Sequence, residues 1–341
     1  MGLTVEGLNY SFSEFGERFQ SHTIYGSSAS FIVNWLNNID FFTVTTSGST
    51  GPPSEIKISR NQMKSSAIFT GEYFGLKPDM TMLLAFDSKF IAGKMILVRG
   101  MELDLNIVMV QPGSTPLQGI TQTLDFVPLV PFQLSRMLAQ SMEVQINNCR
   151  CILLGGAPVS GVLEQQIRNL AVPVFHSFGM TETVSHVAIR KIDMSDNQEY
   201  HSIGDVEFST QSNGCLTITG SVTGHQEIES NDVVKLISNK SFIWLGRIDN
   251  VINTGGIKIN PEIIENKLAY IIQNELFISS KPDNHLGEKI VLIVEGTTRN
   301  LDHCFDSLEK YEKPREVYFL EKFVRTKSGK INRRESEKLL T

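Results

Sequence analysis

Residues 45–51, Thr-Thr-Ser-Gly-Ser-Thr-Gly, gather hydroxyls and glycines, and Pro52 and Pro53 follow at once. Glycines let backbone N–H groups converge and the hydroxyls add donors, a set that suits a polyphosphate. The same composition also suits a surface turn. A Walker loop is excluded: Gly48 and Gly51 stand too close together, no Lys follows, and the prolines block an immediate helix. The position after the prolines, where a phosphate grip would want a cation, is Ser54, and the next cation is Lys57.

Other residues along the chain have types suited to chemistry. "SFGMTET" (177–183) offers a hydroxyl and a carboxylate side by side, Thr181 and Glu182. "LLGGAP" (153–158) reads as a strand running into a Gly-Gly turn, and "KSGKINR" (327–333) puts Lys330 on a flexible basic tail. Cys149 and Cys151 form a Cys-x-Cys pair with no second pair or His cluster nearby, which reads as reduced structural thiols and not zinc.

Four stretches taken in order resemble the acyl-adenylate-forming superfamily of acyl-CoA ligases, luciferases and peptide-synthetase adenylation domains. They are "TTSGSTGPP" (45–53), "SFGMTET" (177–183), "GRIDNVINTGGIKINPEIIE" (246–265) and "RTKSGKINR" (325–333), so the resemblance runs from about residue 41 to the end of the sequence. It implies a two-step reaction. A carboxylate attacks the α-phosphate of ATP, releasing pyrophosphate, and a thiol then displaces AMP from the acyl-adenylate. It implies ATP, Mg²⁺ and coenzyme A as cofactor and substrates.

Residue by residue, the resemblance makes Thr46, Ser47, Gly48, Ser49, Thr50 and Gly51 the cradle of the β- and γ-phosphates. Thr181 would donate to the α-phosphate and Glu182 would hold Mg²⁺. Gly155, Gly156, Ala157, Phe178 and Gly179 would receive adenine, with Phe178 where the family usually has Tyr; stacking uses the ring and survives the change. Asp232 and Arg247 would bind the ribose, although Ser230 and Asn231 replace the usual Thr-Gly. Lys330 would bridge the substrate carboxylate and the α-phosphate, neutralising charge during adenylation. Val324 stands where the family commonly has Pro. Asp249 corresponds to the family's hinge, about which a small domain would swing to exchange Lys330 for the Gly255-Gly256 loop. That loop would pass the pantetheine arm. Lys258 would meet a CoA phosphate or simply face water.

The elements that must position these residues are legible in outline. Phe41–Val44 has strand character, Ile56–Ile58 resumes alternation, and Ser59 with Gln62 makes a capping box opening a helix through "NQMKSSAIFTGEYF". Residues 82–246 alternate short apolar runs ("MLLAF", "NIVMV", "CRCILLGG", "VPVF") with helical spacing, an α/β layering. "VPLVPFQLSRMLAQ" reads as a Pro-led helix with Leu134, Met137 and Leu138 on one face. "KINPEIIENKLAYIIQ" reads as a helix with Asn260 as N-cap, Pro261 at N1 and Ile264, Leu268 and Ile271 on one face. "KIVLIVEG" is a strand, and "SLEKYEKPREVYFLEKF" reads as charged helix, turn and strand. The expected fold is therefore α/β: a large domain of layered sheets and helices over 1–246, truncated at its N-terminus relative to the family. A small mobile α+β lid domain over 247–341 completes it, with the boundary near Gly246–Asn250.

With 31 Lys and Arg against 37 Asp and Glu, the net charge is −6, which implies no basic face for nucleic acid. No apolar run approaches a membrane span, and no secretory signal opens the sequence, so the expected setting is cytoplasmic. No interface is legible, and the oligomeric state stays open.

Two segments, "FIAGKMILVRG" (90–100) and "FVPLVPFQLSRML" (126–138), resemble the substrate-pocket segments of the o-succinylbenzoate–CoA ligases of menaquinone biosynthesis, in their compact form. That acid carries two carboxylates, and the one that is not activated needs a partner in an apolar pocket. Arg99 is the candidate, against an Arg facing solvent at a helix end. Phe126, Phe132, Met95 and Leu134 would line the ring's slot or serve as core. Alternatives are a ligase for another acid, a stand-alone adenylation domain loading a carrier protein, and a nucleotide-binding protein without catalysis.

Overall fold

A computed structural model describes residues 1–45, 55–195, 197–326 and 331–340. The chain opens with β1 (Gly2–Val5), β2 (Leu8–Tyr10), α1 (Phe12–Phe19) and α2 (Gly26–Leu36), then β3 (Phe41–Thr45) and β4 (Glu55–Ser59). Next come α3 (Arg60–Phe74), β5 (Thr81–Leu84), α4 (Ile91–Glu102) and β6 (Asn106–Met109). The middle holds β7 (Val127–Leu129), α5 (Pro131–Ala139), α6 (Glu143–Asn147), β8 (Ile152–Leu154), α7 (Gly161–Arg168) and β9 (Val174–Gly179). Antiparallel strands follow: β10 (His186–Ile192), β11 (Glu199–Ser202), β12 (Glu207–Thr210), β13 (Cys215–Thr219), β14 (Ile228–Ser238) and β15 (Ser241–Arg247). The last part comprises β16 (Ile252–Thr254), β17 (Ile257–Ile259), α8 (Pro261–Ile272), β18 (Leu276–Asp283), β19 (Gly287–Glu295), β20 (Glu316–Leu320) and α9 (Arg333–Glu337).

Residues 1–45 fold onto the rest of the chain. Strand β1 lies parallel to β6 and antiparallel to β2, giving a four-stranded sheet β2-β1-β6-β5. Phe12 and Phe15 of α1 and Phe31, Ile32 and Trp35 of α2 bury against Met95 and Ile96 of α4 in one apolar cluster. The second sheet runs β12-β13-β14-β15-β11-β10-β9-β8-β7, with β7, β8 and β9 parallel and the remaining pairs antiparallel. Strands β7 and β8 are buried at every position, as a parallel sheet covered on both faces requires. Strand β15 ends at Arg247, and from β16 onward the strands belong to a separate five-stranded sheet containing β16 to β20.

Local signals explain most helix starts. Ser59 accepts from the Gln62 N–H while the Gln62 side chain accepts from the Ser59 N–H, and Gly75 ends α3 in the left-handed conformation. Pro131 and Pro261 occupy the first turns of α5 and α8.

Two expectations need correction. In α8 the buried row is Ile264, Leu268 and Ile272, and Ile271 is exposed. The i, i+4, i+8 spacing of that row faces β18 and β19, and Ile271 falls one residue off it. "SLEKYEK" forms turns and not a helix; the nearest helical turn is a 3-10 turn at Asp302–Phe305. Glu312 accepts from the Glu309 N–H and from Lys267 on α8, so its carboxylate closes a turn just before Pro314. Among the described residues, no helix is long and apolar enough to cross a membrane.

Candidate active site

The ends of β8 and β9 lie side by side, because Leu154 is paired with His176 in the parallel ladder. Gly155 and Gly156 leave β8 in a turn where Gly156 has φ +77°, and a Cβ on Gly155 would sit 2.7 Å from Ser177 Oγ. His176 Nε2 is 3.0 Å from the Ala157 carbonyl, and Tyr200 Oη is 2.7 Å from His176 Nδ1. A carbonyl only accepts, so Nε2 carries the hydrogen and Tyr200 donates to Nδ1. Burial, and then the Arg190 charge, lower the His176 pKa to about 4, which keeps the ring neutral. Arg190 is itself fixed by Glu164 at 2.8 Å. The turn expected to receive adenine is thus propped from below by a buried polar chain that sequence spacing does not reveal.

Phe178 and Gly179 end β9, and Thr181–Thr183 form a 3-10 turn. The Phe178 ring is half-buried with its edge against Phe242, centroids 5.1 Å apart. Gly179 is sterically required: a Cβ there would lie 2.3 Å from the Ser185 carbonyl oxygen. Thr181 is half-buried and Glu182 exposed. Glu182 makes no ion pair among the described residues, which leaves both oxygens for a cation. One free carboxylate beside substrate phosphates is a donor set suited to Mg²⁺.

Asp232 on β14 faces Arg247 on β15 in the antiparallel register. The guanidinium stands 3.9 Å from the Asp232 carboxylate and 2.7 Å from that of Asp249. Trp244 Nε1 donates to Asp232 Oδ1 at 2.8 Å. Burial raises the Asp232 pKa, with the Trp244 hydrogen bond and the Arg247 charge opposing. Asp249 sits in a 3-10 turn, Ile248–Asn250, and also accepts from Asn231 Nδ2. Nothing in the sequence singled out Trp244, because its indole reaches Asp232 only once β14 and β15 pair.

Gly255 and Gly256 are the two-residue loop of the β16–β17 hairpin, with φ of +60° and +84°. Two positive φ values make a type I′ turn, which by itself accounts for glycines at these positions. Lys258 is exposed on β17. Residues 46–51, expected to hold the phosphates, and Lys330 lie outside the described residues. The strands leading to the former end at the paired residues Thr45 and Glu55. Lys57 leans away from them, its ammonium 4.3 Å from the Phe41 ring centroid at the far end of the hairpin.

Arg99 is buried in the last turn of α4, not exposed at a helix end. Its Nε donates to Thr70 Oγ1 at 3.1 Å and its Nη2 to Ser185 Oγ at 3.0 Å, and no carboxylate among the described residues pairs with it. Burial lowers its pKa to about 9. Met95, Phe126 and Leu134 are fully buried in the two main apolar clusters, which is core packing. Phe132 is half-buried under Arg136, 5.8 Å from its ring centroid. Cys149 and Cys151 are buried, with Sγ atoms on the Gln145 and Asp125 carbonyls; burial raises their pKa values to about 11 and about 12.

Comparison with known proteins gives the family and the fold. The AMP-binding enzyme family matches residues 37–212. A 2-succinylbenzoate–CoA ligase of Listeria monocytogenes is 26% identical over 321 residues, covering 84% of this chain and 68% of that protein. One from Bacillus cytotoxicus is 24% identical over 335 residues, covering 87% and 69%. Among solved structures, an acyl-CoA synthetase (AMP-forming)/AMP-acid ligase II-like protein from Dyadobacter fermentans is 36% identical with a TM-score of 0.65, covering 94% of this chain and 95% of that one. An o-succinylbenzoate CoA synthetase from Bacillus subtilis, solved with an acyl-adenylate intermediate, shares 20% identity and a TM-score of 0.71, covering 86% and 68%. The chain belongs to the AMP-binding enzyme family, and its fold is that of the acyl-adenylate-forming enzymes.

Proposed function

We propose that this protein is an ATP-dependent acid–CoA ligase whose acid is o-succinylbenzoate. The observation that carries the choice of acid is Arg99. A guanidinium taken out of water without a counter-charge costs several kcal/mol, so a fold that keeps one presupposes an anion. A dicarboxylic acid supplies it, because the carboxylate that does not react stays negative throughout. The names of the relatives from Listeria monocytogenes and Bacillus cytotoxicus point to the same acid.

In this reading the hydroxyls and backbone of residues 46–51 grip the ATP polyphosphate, and Glu182 would hold Mg²⁺, which supplies positive charge beside the phosphates when bound. Thr181 donates a hydrogen bond to the α-phosphate as charge accumulates there. The Gly155–Ala157 turn, the Phe178 ring and Gly179 receive adenine; Asp232 accepts from the ribose hydroxyls, and Arg247 steadies Asp232 from across the ladder. Lys330 neutralises the approach of the acid's carboxylate to the α-phosphate. Residues 247–341 then rotate about Asp249 and bring Gly255, Gly256 and Lys258 to coenzyme A, whose thiol displaces AMP.

The test is mass-spectrometric detection of a CoA thioester from purified protein, ATP, Mg²⁺, CoA and a panel of aromatic and aliphatic acids. o-Succinylbenzoyl-CoA as the dominant product is expected. A thioester from other acids only removes the assigned substrate, and absence of pyrophosphate exchange with every acid removes the ligase reading.

A further inference from the structure

The polar groups around Arg99 can be satisfied in one way only. Thr70 Oγ1 is 2.8 Å from the Ser66 carbonyl oxygen, so its single hydroxyl proton is committed there. The same oxygen lies 3.1 Å from Arg99 Nε, which only donates, and 3.1 Å from His186 Nε2. Thr70 must therefore accept from both, and Nε2 of His186 carries the hydrogen. Burial and the nearby Arg99 charge hold the His186 pKa well below its ordinary value, so Nδ1 is an acceptor. Ser185 Oγ, 3.3 Å from that nitrogen, donates to it and accepts from Arg99 Nη2.

Both hydroxyl protons are spent, that of Thr70 on the Ser66 carbonyl and that of Ser185 on His186 Nδ1. Arg99 alone keeps donors: of its five N–H groups, two are used, and the Nη1–Nη2 edge has no partner among the described residues. That edge is the one a carboxylate takes in a bidentate pair. Backbone strain delivers Ser185 to its place. Val184 has φ +68° and ψ −56°, and the Ser185 N–H donates to the Thr183 carbonyl at 2.7 Å, which is a γ-turn. For a β-branched residue this costs about 1–3 kcal/mol and persists only where the surrounding packing holds it.

We infer that Thr70, His186 and Ser185 are positioning residues that aim the free edge of Arg99 at the unreacting carboxylate of a dicarboxylic acid. This rests on the substrate reading above. It assigns the selection of a diacid over a monoacid to a ring contributed by three separate segments: α3, α4, and the residues that follow the Thr181–Thr183 turn.

Steady-state kinetics with o-succinylbenzoate and with an analogue lacking the second carboxylate test it, the readout being the ratio of the two KM values. Arg99→Ala should move that ratio at least thirtyfold against the diacid, and Thr70→Val and Ser185→Ala should each move it at least tenfold. Thr70→Ser, which keeps the accepting oxygen, should restore the parent ratio. If Arg99→Ala moves the ratio and the ring variants do not, the positioning role is wrong while the substrate reading stands. If Arg99→Ala leaves the ratio unchanged, the substrate reading itself fails. A shift in Thr70→Ser as large as in Thr70→Val would mean packing and would overturn the inference.

Discussion

Asp232 and Arg247 are direct partners across the β14–β15 ladder, and Trp244, also on β15, holds the Asp232 carboxylate from its other side. The carboxylate is thereby oriented while Oδ2 stays 3.9 Å from the guanidinium, far enough to accept from a ligand hydroxyl. If that ligand is ribose, Asp232→Ala should raise the KM for ATP by the equivalent of about 1.5–3 kcal/mol, the worth of hydrogen bonds to a charged group, and should leave the KM for the acid within twofold. ATP–pyrophosphate exchange measured against each substrate in turn decides this; an equal rise in both would place Asp232 elsewhere than on the nucleotide.

Trp244→Phe keeps the ring and removes only the N–H that Asp232 accepts. The expected outcome is a smaller rise in the KM for ATP, about 0.5–1.5 kcal/mol, in the same assay. No change would show that Asp232 is oriented without it.

In the proposed mechanism Lys330 acts in the adenylation half-reaction and not in the thioester-forming one. Lys330→Ala should abolish acyl-AMP formation and leave thioester formation from supplied acyl-adenylate within a few-fold of the parent. Equal loss in both half-reactions, followed separately by pyrophosphate release and by thioester absorbance, would deny it that role.

Asp249 is tied to Arg247 and to Asn231, so it belongs to the β14–β15 sheet as much as to the segment beyond it. Asp249→Pro fixes φ at a position that rotation must change. It should spare one half-reaction and depress the other at least tenfold, again read by the two separate assays, whereas equal depression would argue against a pivot there.

His176 gives a pH prediction. Its folded-state pKa is lowered from 6.5 to about 4, chiefly by burial. The stability it contributes is complete above about pH 6.5 and is lost as pH falls through that window toward 4, on the order of 3 kcal/mol in all. Urea unfolding between pH 7 and pH 4.5 should show this acid limb, and His176→Gln should flatten it. An unchanged slope in the variant would mean that another group titrates.

Much of the local structure was legible in the sequence because its causes are local. The Ser59–Gln62 capping box, the prolines opening α5 and α8, and the alternation of Phe41–Val44 involve partners within a turn or a strand. The charged stretch around Lys310 forms turns in which Glu312 pairs with Lys267 on α8, a partner that local spacing does not show. For α8 the start was clear, but which isoleucine faces inward depends on where β18 and β19 lie.

The candidate site divides in the same way. Thr181, Glu182, Asp232 and Lys330 stand in motifs that are read along the chain, in the order in which the resemblance to the acyl-adenylate-forming enzymes places them. Arg99 was visible only as an alternative between solvent and substrate. Its contacts with Thr70 and Ser185 span 29 and 86 residues, and His186 reaches Thr70 across 116. Hydrogen bonds of that span form only when whole sheets and helices have packed, so the tertiary structure alone decided that this charge is buried, oriented and left with an open edge.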